Sequence, residues 1–260
     1  MKIKKTFRII LIAIVLFLTL NMIYVCYGKI QCNRMIDAIE NKDINKLESI
    51  LCFANPNCTT ISVIKSTLTQ EFRYTPLAKA CDKGDFEMVK LLVENGADVN
   101  YVPINTFATP LGFAVQSDSV DNLKIVGFLI ENGADVNYSG KNQMHPVSMA
   151  LPSGEDPHPN GMEILNVLLK AGSDSEKEVA LKSACYDKNE EIIRYLVEDR
   201  GYDASDPECI GLYCYGFGEC SYETFEYFLK RGANPYEKFY INKYIGEKSA
   251  IECLQEKSPE

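Results

Sequence analysis

The sequence predicts an all-α protein: a solenoid of stacked helix-turn-helix units with projecting turns, preceded by one N-terminal helix that either spans a membrane or directs export. Three observations predict it. The peptide Asn-Gly-Ala-Asp-Val-Asn occurs twice, at Asn95–Asn100 and Asn132–Asn137. Each copy closes a segment opened by Thr-Pro-Leu, at Thr75–Leu77 and Thr109–Leu111, and such a pairing at a period in the thirties is a repeat signature. Ahead of the repeats, Lys2, Lys4, Lys5 and Arg8 precede an apolar run that begins at Ile9.

The repeated residues have physical jobs. A Thr hydroxyl before a helix accepts a backbone N–H, and Pro suits the first helical position, where its missing N–H would be unpaired anyway. Thr75-Pro76 and Thr109-Pro110 therefore open helices, with Leu77, Ala80 and Cys81, then Leu111, Ala114 and Val115, on one stripe. Lys83-Gly84-Asp85 ends the first of these helices and starts a second, whose apolar face is Phe86, Val89, Leu92 and Val93. Gly96 and Gly133 stand where a helix end wants a left-handed residue. One such helix pair cannot bury its apolar side alone, so neighbours must stack.

Weaker copies follow. Ile164, Val167, Leu168 and Gly172 give a second helix and its stop, with His145-Pro146-Val147 in the place of Thr-Pro-Leu. Ala184, Cys185, Ile192, Ile193, Leu196 and Gly201 outline another unit, and Tyr213, Phe225, Phe228, Gly232 and Ala233 one more. At the front, Met35, Ala38, Ile39, Leu47 and Ile50 form a pair that lacks the Gly-Ala-Asp turn. The expected division is an N-terminal segment 1–28 and a repeat domain 29–260. Within that domain the units are 33–54 (a cap), 74–103, 108–140, 144–174, 176–204 and 209–236, with a C-terminal cap at 240–257.

These motifs resemble the ankyrin repeat, strongly over Tyr74–Asn137 and in degenerate form from about Asn33 to the C-terminus. The resemblance implies a non-enzymatic protein-protein interaction module that grips partners with its projecting turns and the concave row of first helices. Carried onto this chain, the turns are Tyr101–Ala108 and Tyr138–Met144, with Tyr202–Asp206 and Tyr236–Tyr240 as degenerate equivalents. Exposed aromatics often anchor interfaces, which makes Tyr101, Ile104, Phe107, Tyr138, Lys141 and Tyr236 the expected partner-binding residues. The alternative for this surface is that Val102 and Phe107 fold back on the neighbouring repeat.

From Ile9 to Tyr27 a helix extends just under about 30 Å, the thickness of a bilayer core, so residues 7–27 are the expected membrane segment. Two readings stay open: a cleaved signal peptide with Cys26-Tyr27-Gly28 as a poor small-x-small site, or a retained anchor, which the continued apolar length favours. The basic residues before the span keep the N-terminus cytoplasmic and place the repeats outside. Four of the 27 bases lie before Gly28 and none of the 36 acids does, so the rest of the chain has 23 bases, 36 acids and a formal charge of −13. That balance argues against nucleic acid and anionic lipid and permits a basic protein partner. Two roles fit: an immunity protein or inhibitor that neutralises a basic exported protein, or an assembly factor for one. A secreted effector is a further alternative.

Ten cysteines in an exported chain invite disulfides. Cys52 and Cys58 flank the turn-rich Phe53–Asn57 and are the expected bridge, while Cys81 and Cys185 serve as small core residues directly after Ala80 and Ala184. The competing reading is a metal-binding or enzymatic protein using Cys209, Cys214 and Cys220, or the His158 loop with Glu155 and Asp156. The three cysteines lack the Cys-x-x-Cys spacing of structural zinc, and no phosphate-cradling glycine motif or nucleophile elbow occurs. No cofactor, metal or small-molecule substrate is expected.

Overall fold

The computed structural model describes residues 2–58, 74–102, 108–138, 145–151, 160–172, 174–216, 219–242 and 244–257. The chain divides into two compact units, Met1–Ala134 and Asp135–Glu260.

In the first unit the helices are α1 (Lys2–Glu40), α2 (Ile44–Leu51), α3 (Pro76–Lys83), α4 (Phe86–Glu94), α5 (Pro110–Val115) and α6 (Asn122–Glu131). The first helices α1, α3 and α5 pack side by side, and the second helices α2, α4 and α6 form a parallel row against them. Between the rows lies an apolar core of Met35, Ile39, Leu47, Leu77, Met88, Leu92, Leu111, Ile125 and Leu129, all nearly fully buried. Phe86 is only half-buried and meets Phe128 edge-on at 5.5 Å, while Met88 takes the buried place on α4.

Local chemistry explains where the helices start and stop. The Thr75 hydroxyl accepts from Ala78 N–H at 3.0 Å and the Thr109 hydroxyl from Gly112 N–H at 3.2 Å. Asp85 caps α4 by accepting from Met88 N–H at 3.1 Å. Gly96 and Gly133 have φ of +85° and +87°, the left-handed conformation that lets the chain leave the helix without a side-chain clash. Gly84 is constrained twice over: its φ is +62°, and a Cβ there would lie 2.0 Å from that of Ser119. Ser119 donates to the Gly84 carbonyl at 3.0 Å, tying the interhelix turns of consecutive repeats.

α1 runs through Gly28 without a break, so the apolar N-terminal segment and the first helix of the first repeat are one helix of 39 residues. A glycine inside a helix costs only about 1 kcal/mol against alanine, and nothing near Gly28 demands a turn. The character of α1 changes along its length: Ile12–Ile30 is exposed throughout, whereas Cys32, Met35, Ala38 and Ile39 are buried. An 18-residue window of this helix has a mean hydropathy of 1.7, apolar enough to cross a membrane.

The second unit holds α7 (Pro146–Met149), α8 (Gly161–Ala171), α9 (Asp174–Tyr186), α10 (Glu190–Arg194) running into a π-helical turn at Tyr195–Asp199, α11 (Pro207–Tyr215) and α12 (Tyr222–Lys230). Two strands, β1 (Lys238–Asn242) and β2 (Gly246–Ser249), and α13 (Ala250–Lys257) complete it. α7 packs on α9, α9 on α11 and α11 on α13. Its core includes Ile164, Leu168, Ile193, Leu196, Ile210, Tyr213, Cys214 and Phe228.

A short two-stranded sheet accompanies the helices. β1 and β2 pair antiparallel with Lys238 opposite Ser249 and Tyr240 opposite Glu247, so part of the expected Tyr236–Tyr240 turn is strand. Phe239 drives the pairing: it is buried against Gly211 of α11, where a Cβ would lie 2.1 Å from its ring. α13 then starts with a reciprocal cap, in which Glu252 N–H donates to the Ser249 hydroxyl at 3.3 Å and Ser249 N–H to the Glu252 carboxylate at 2.7 Å.

Candidate partner-binding surface

The projecting turns share one device. Asn55, Asp98, Asp135, Asp203 and Asn234 each accept, through Oδ1, the N–H of the residue two places on, at 2.8–3.1 Å. Short Asn and Asp side chains fold a turn in this way without help from the rest of the chain. In the first unit the turns are also stapled to each other. Asn100 donates to the Gly133 carbonyl at 2.8 Å. One turn earlier, Asn57 donates to the Gly96 carbonyl at 3.0 Å and accepts from Asp98 N–H at 2.7 Å. The last Asn of the repeated hexapeptide thus holds the glycine of the next copy. Ala54-Asn55-Pro56-Asn57 is a disguised version of Ala97-Asp98-Val99-Asn100, legible from its two asparagines once the missing glycine is allowed for.

The expected binding residues separate. Tyr101 and Tyr138 are half-buried beside their own turns, and Tyr236 is 73% exposed. Ile104, Phe107 and Lys141 lie outside the described residues, as does the His158 loop with Glu155 and Asp156. Tyr236 takes the place of Asn57 and Asn100, two residues after its turn's Asn234, one position short of where Tyr101 and Tyr138 stand. Sequence reasoning missed three more aromatics of the second unit: Tyr222, Tyr240 and Tyr244, exposed to 80%, 58% and 85%. Tyr222 opens α12 directly after the capping Ser221, a position that a helix pattern would have marked as solvent-facing.

The first helices present a second surface. In the first unit Lys79 lies 5.1 Å over the Tyr74 ring and pairs with Glu40 at 3.6 Å and Asp82 at 3.4 Å. Tyr74 in turn meets Phe113 at 5.3 Å. In the second unit a cavity of about 160 Å³ is lined by Leu181, Lys182, Tyr202, Asp203 and Asp206, among others. Lys182 is held by Glu208 at 2.6 Å and Asp206 at 3.2 Å. Burial pulls the Lys182 ammonium down, but its hydrogen bond to Glu208 and the charges of both carboxylates outweigh that and leave it above the usual lysine range. The cavity therefore carries a fixed cation with surplus negative charge.

The cysteines sort by environment. Cys81 is fully buried, and burial raises its thiol well above the ordinary range. Cys185 and Cys209 are buried against each other, and burial followed by their mutual hydrogen bond raises Cys185. Cys52 is exposed and donates back to the Glu48 carbonyl at 3.5 Å, because it closes the last turn of α2. Cys58 lies beside Cys32 of α1, where the two thiols perturb each other, Cys32 upward and Cys58 downward, while Cys52 stands exposed at the end of α2. Cys214 is likewise hydrogen-bonded to Cys220. Among the described residues no three His, Cys, Asp or Glu side chains come together as a metal-ligand set.

Comparison with known proteins agrees with this geometry. A model of ankyrin repeats, in three copies, matches residues 35–139. Residues 35–139 are ankyrin repeats. Among solved structures, the human ASB11 ankyrin repeat domain superimposes with a TM-score of 0.59 over 84% of this chain and 90% of that one, at 23% identity. At that identity the likeness speaks for the fold alone. No curated protein matches the sequence. The ankyrin architecture is that of an interaction module for proteins, which fits paired helices with their turns stapled into a rigid edge.

Proposed function

We propose that this ankyrin-repeat chain is a membrane-tethered, non-enzymatic binding module whose repeats lie outside the cytoplasm and hold a protein partner with basic surface. The observation that carries the tether is the division of α1. An apolar stretch of full bilayer length is exposed, and the same helix then buries Met35 and Ile39 in the first repeat. A soluble module would bear a large energetic cost to keep Ile12–Tyr27 in water. The four basic residues ahead of the span support a cytoplasmic N-terminus.

Partner chemistry follows from charge and turns. The chain beyond Gly28 carries −13 formally, and its second unit offers Tyr222, Tyr236, Tyr240 and Tyr244 as aromatic anchors. A basic exported protein, neutralised or assisted in assembly, is the partner such a surface fits. The half-buried Tyr101 of the first unit and Tyr138 of the second each stand beside their own turn.

The test uses full-length protein carried in its own membranes. A reporter enzyme active only outside the cytoplasm, fused after Glu260, should be active, and the chain should resist alkaline extraction. Cross-linking should then trap a basic protein. Tyr236→Ala with Tyr240→Ala should lose it, and Tyr101→Ala with Tyr138→Ala should weaken it. An inactive reporter would overturn the topology, and undiminished capture by both double variants would move the site to the first helices.

A further inference from the structure

Four of the ten cysteines form two pairs whose placement differs from that of the others. In the first unit Cys32 is buried on α1, past the exposed apolar stretch, and its thiol meets that of Cys58. Cys58 does not sit there by chance, because its neighbour Asn57 is stapled to Gly96 and Asp98 of the next turn. The chain from α2 is thereby held back against the side of α1. In the second unit Cys214 is buried near the end of α11, and Cys220 returns to it. The Cys220 sulfur lies 3.5 Å from the Tyr213 carbonyl oxygen and 3.6 Å from that of Cys214 itself. Gly216 makes the return close: a Cβ there would lie 2.0 Å from the Tyr186 carbonyl oxygen, so only glycine lets the chain pass α9.

Each pair joins one buried and one half-buried sulfur, so an oxidant can reach Cys58 and Cys220. Cys185 and Cys209 also touch, but both are buried and offer no such access. The reachable sulfurs are also the ones disposed to attack. The hydrogen bond from Cys32 holds the Cys58 thiol below the usual cysteine range, and Lys188 places its ammonium 3.2 Å from the Cys220 sulfur, where a cation favours the thiolate.

We propose that the mature protein carries two disulfides, Cys32–Cys58 clamping the first repeat to the membrane-proximal end of α1, and Cys214–Cys220 closing the turn after α11. The inference rests on the repeats lying outside the cytoplasm, where disulfides persist. The chemistry is thiol–disulfide exchange with a disulfide-form oxidant. The Cys58 or Cys220 thiolate attacks one sulfur of the oxidant, giving a mixed disulfide and expelling the oxidant's other sulfur as thiolate. Cys32 or Cys214, deprotonated in turn, attacks the cysteine sulfur of that mixed disulfide, which closes the protein bridge and releases the oxidant as a dithiol. For each bridge the protein loses two protons and two electrons, and one oxidant disulfide is reduced.

The test starts with full-length protein whose free thiols are alkylated at the moment of cell lysis, then denatured and mapped by mass spectrometry. Six of the ten cysteines should be alkylated, and Cys32–Cys58 and Cys214–Cys220 peptides should appear linked until a reductant is added. A Cys52–Cys58 or Cys209–Cys220 linkage would overturn the assignment. A parallel sample, purified reduced and exposed to glutathione disulfide, separates the two ways of failing. Free thiols in cells with an inactive extracytoplasmic reporter, yet correct pairing in the tube, would overturn the location and with it the bridges as a property of the living protein. Free thiols in cells with an active reporter, or failure to pair in the tube, would overturn the pairing itself. Cys58→Ser should leave Cys32 alkylated and the Cys214–Cys220 link intact, so the two bridges are independent.

Discussion

Asn57→Ala removes the staple between the first two turns and nothing in the core. Two hydrogen bonds are lost, to the Gly96 carbonyl at 3.0 Å and from Asp98 N–H at 2.7 Å. A net hydrogen bond contributes about 0.5–1.5 kcal/mol, and because this site is exposed, water replaces part of each, giving about 1–1.5 kcal/mol together. The change is local, since each repeat touches only its neighbours. Native-state amide exchange reads it directly: Asp98 N–H should exchange about tenfold faster, with the chain from Phe53 to Cys58 loosened and the Gly133 turn unchanged. Asn100→Ala should do the same one turn later, by freeing the Gly133 carbonyl. Asp98 protection within about twofold of the parent would refute the claim that the asparagines hold the turns together.

Three further outcomes follow from single contacts. Thr75→Ala should lower stability in urea by about 1 kcal/mol and Thr75→Ser should restore most of it, because the hydroxyl caps α3 at 3.0 Å. Gly211→Ala should cost about 1–3 kcal/mol by thermal unfolding and displace β1, since its Cβ would enter the Phe239 ring; an unchanged midpoint would deny that contact. Burial opposes ionisation of Glu190, but hydrogen bonds led by the one from Tyr213 at 2.7 Å prevail and hold its carboxyl below the ordinary 4.5. Its contribution is therefore present above pH 4.5 and lost as pH falls through the lower folded value, so Glu190→Gln should flatten the acid limb of the stability profile.

Thr75–Asn137 was legible in the sequence because its residues act locally. A Thr hydroxyl caps whatever helix follows it, and Gly96 needs its positive φ whatever surrounds it. The first repeat was half hidden, since Asn57 does the work of Asn100 without the glycine that marks the motif. Long-range packing was not legible at all. Nothing near Cys58 in sequence announces Cys32, and the short run at Phe239 reads as a turn until Gly211 is known to receive it. The exposure of Tyr222 and the half-burial of Tyr101 depend on how neighbouring segments lie, which composition alone does not reveal.

The unbroken α1 turns the joint at Gly28 into a coupling with a phase. With Ile9–Tyr27 in a bilayer, each residue inserted between Tyr27 and Gln31 would rotate the first repeat about 100° around the helix axis and lift it about 1.5 Å. Two insertions would turn the first repeat's binding edge away from whatever it faced, and seven would return it nearly to register but one storey higher. A flexible linker would be indifferent to such changes. On the proposed tether the helix would instead fix a bearing and a height above the membrane, so that a partner anchored in the same bilayer would meet this surface without first searching for its orientation.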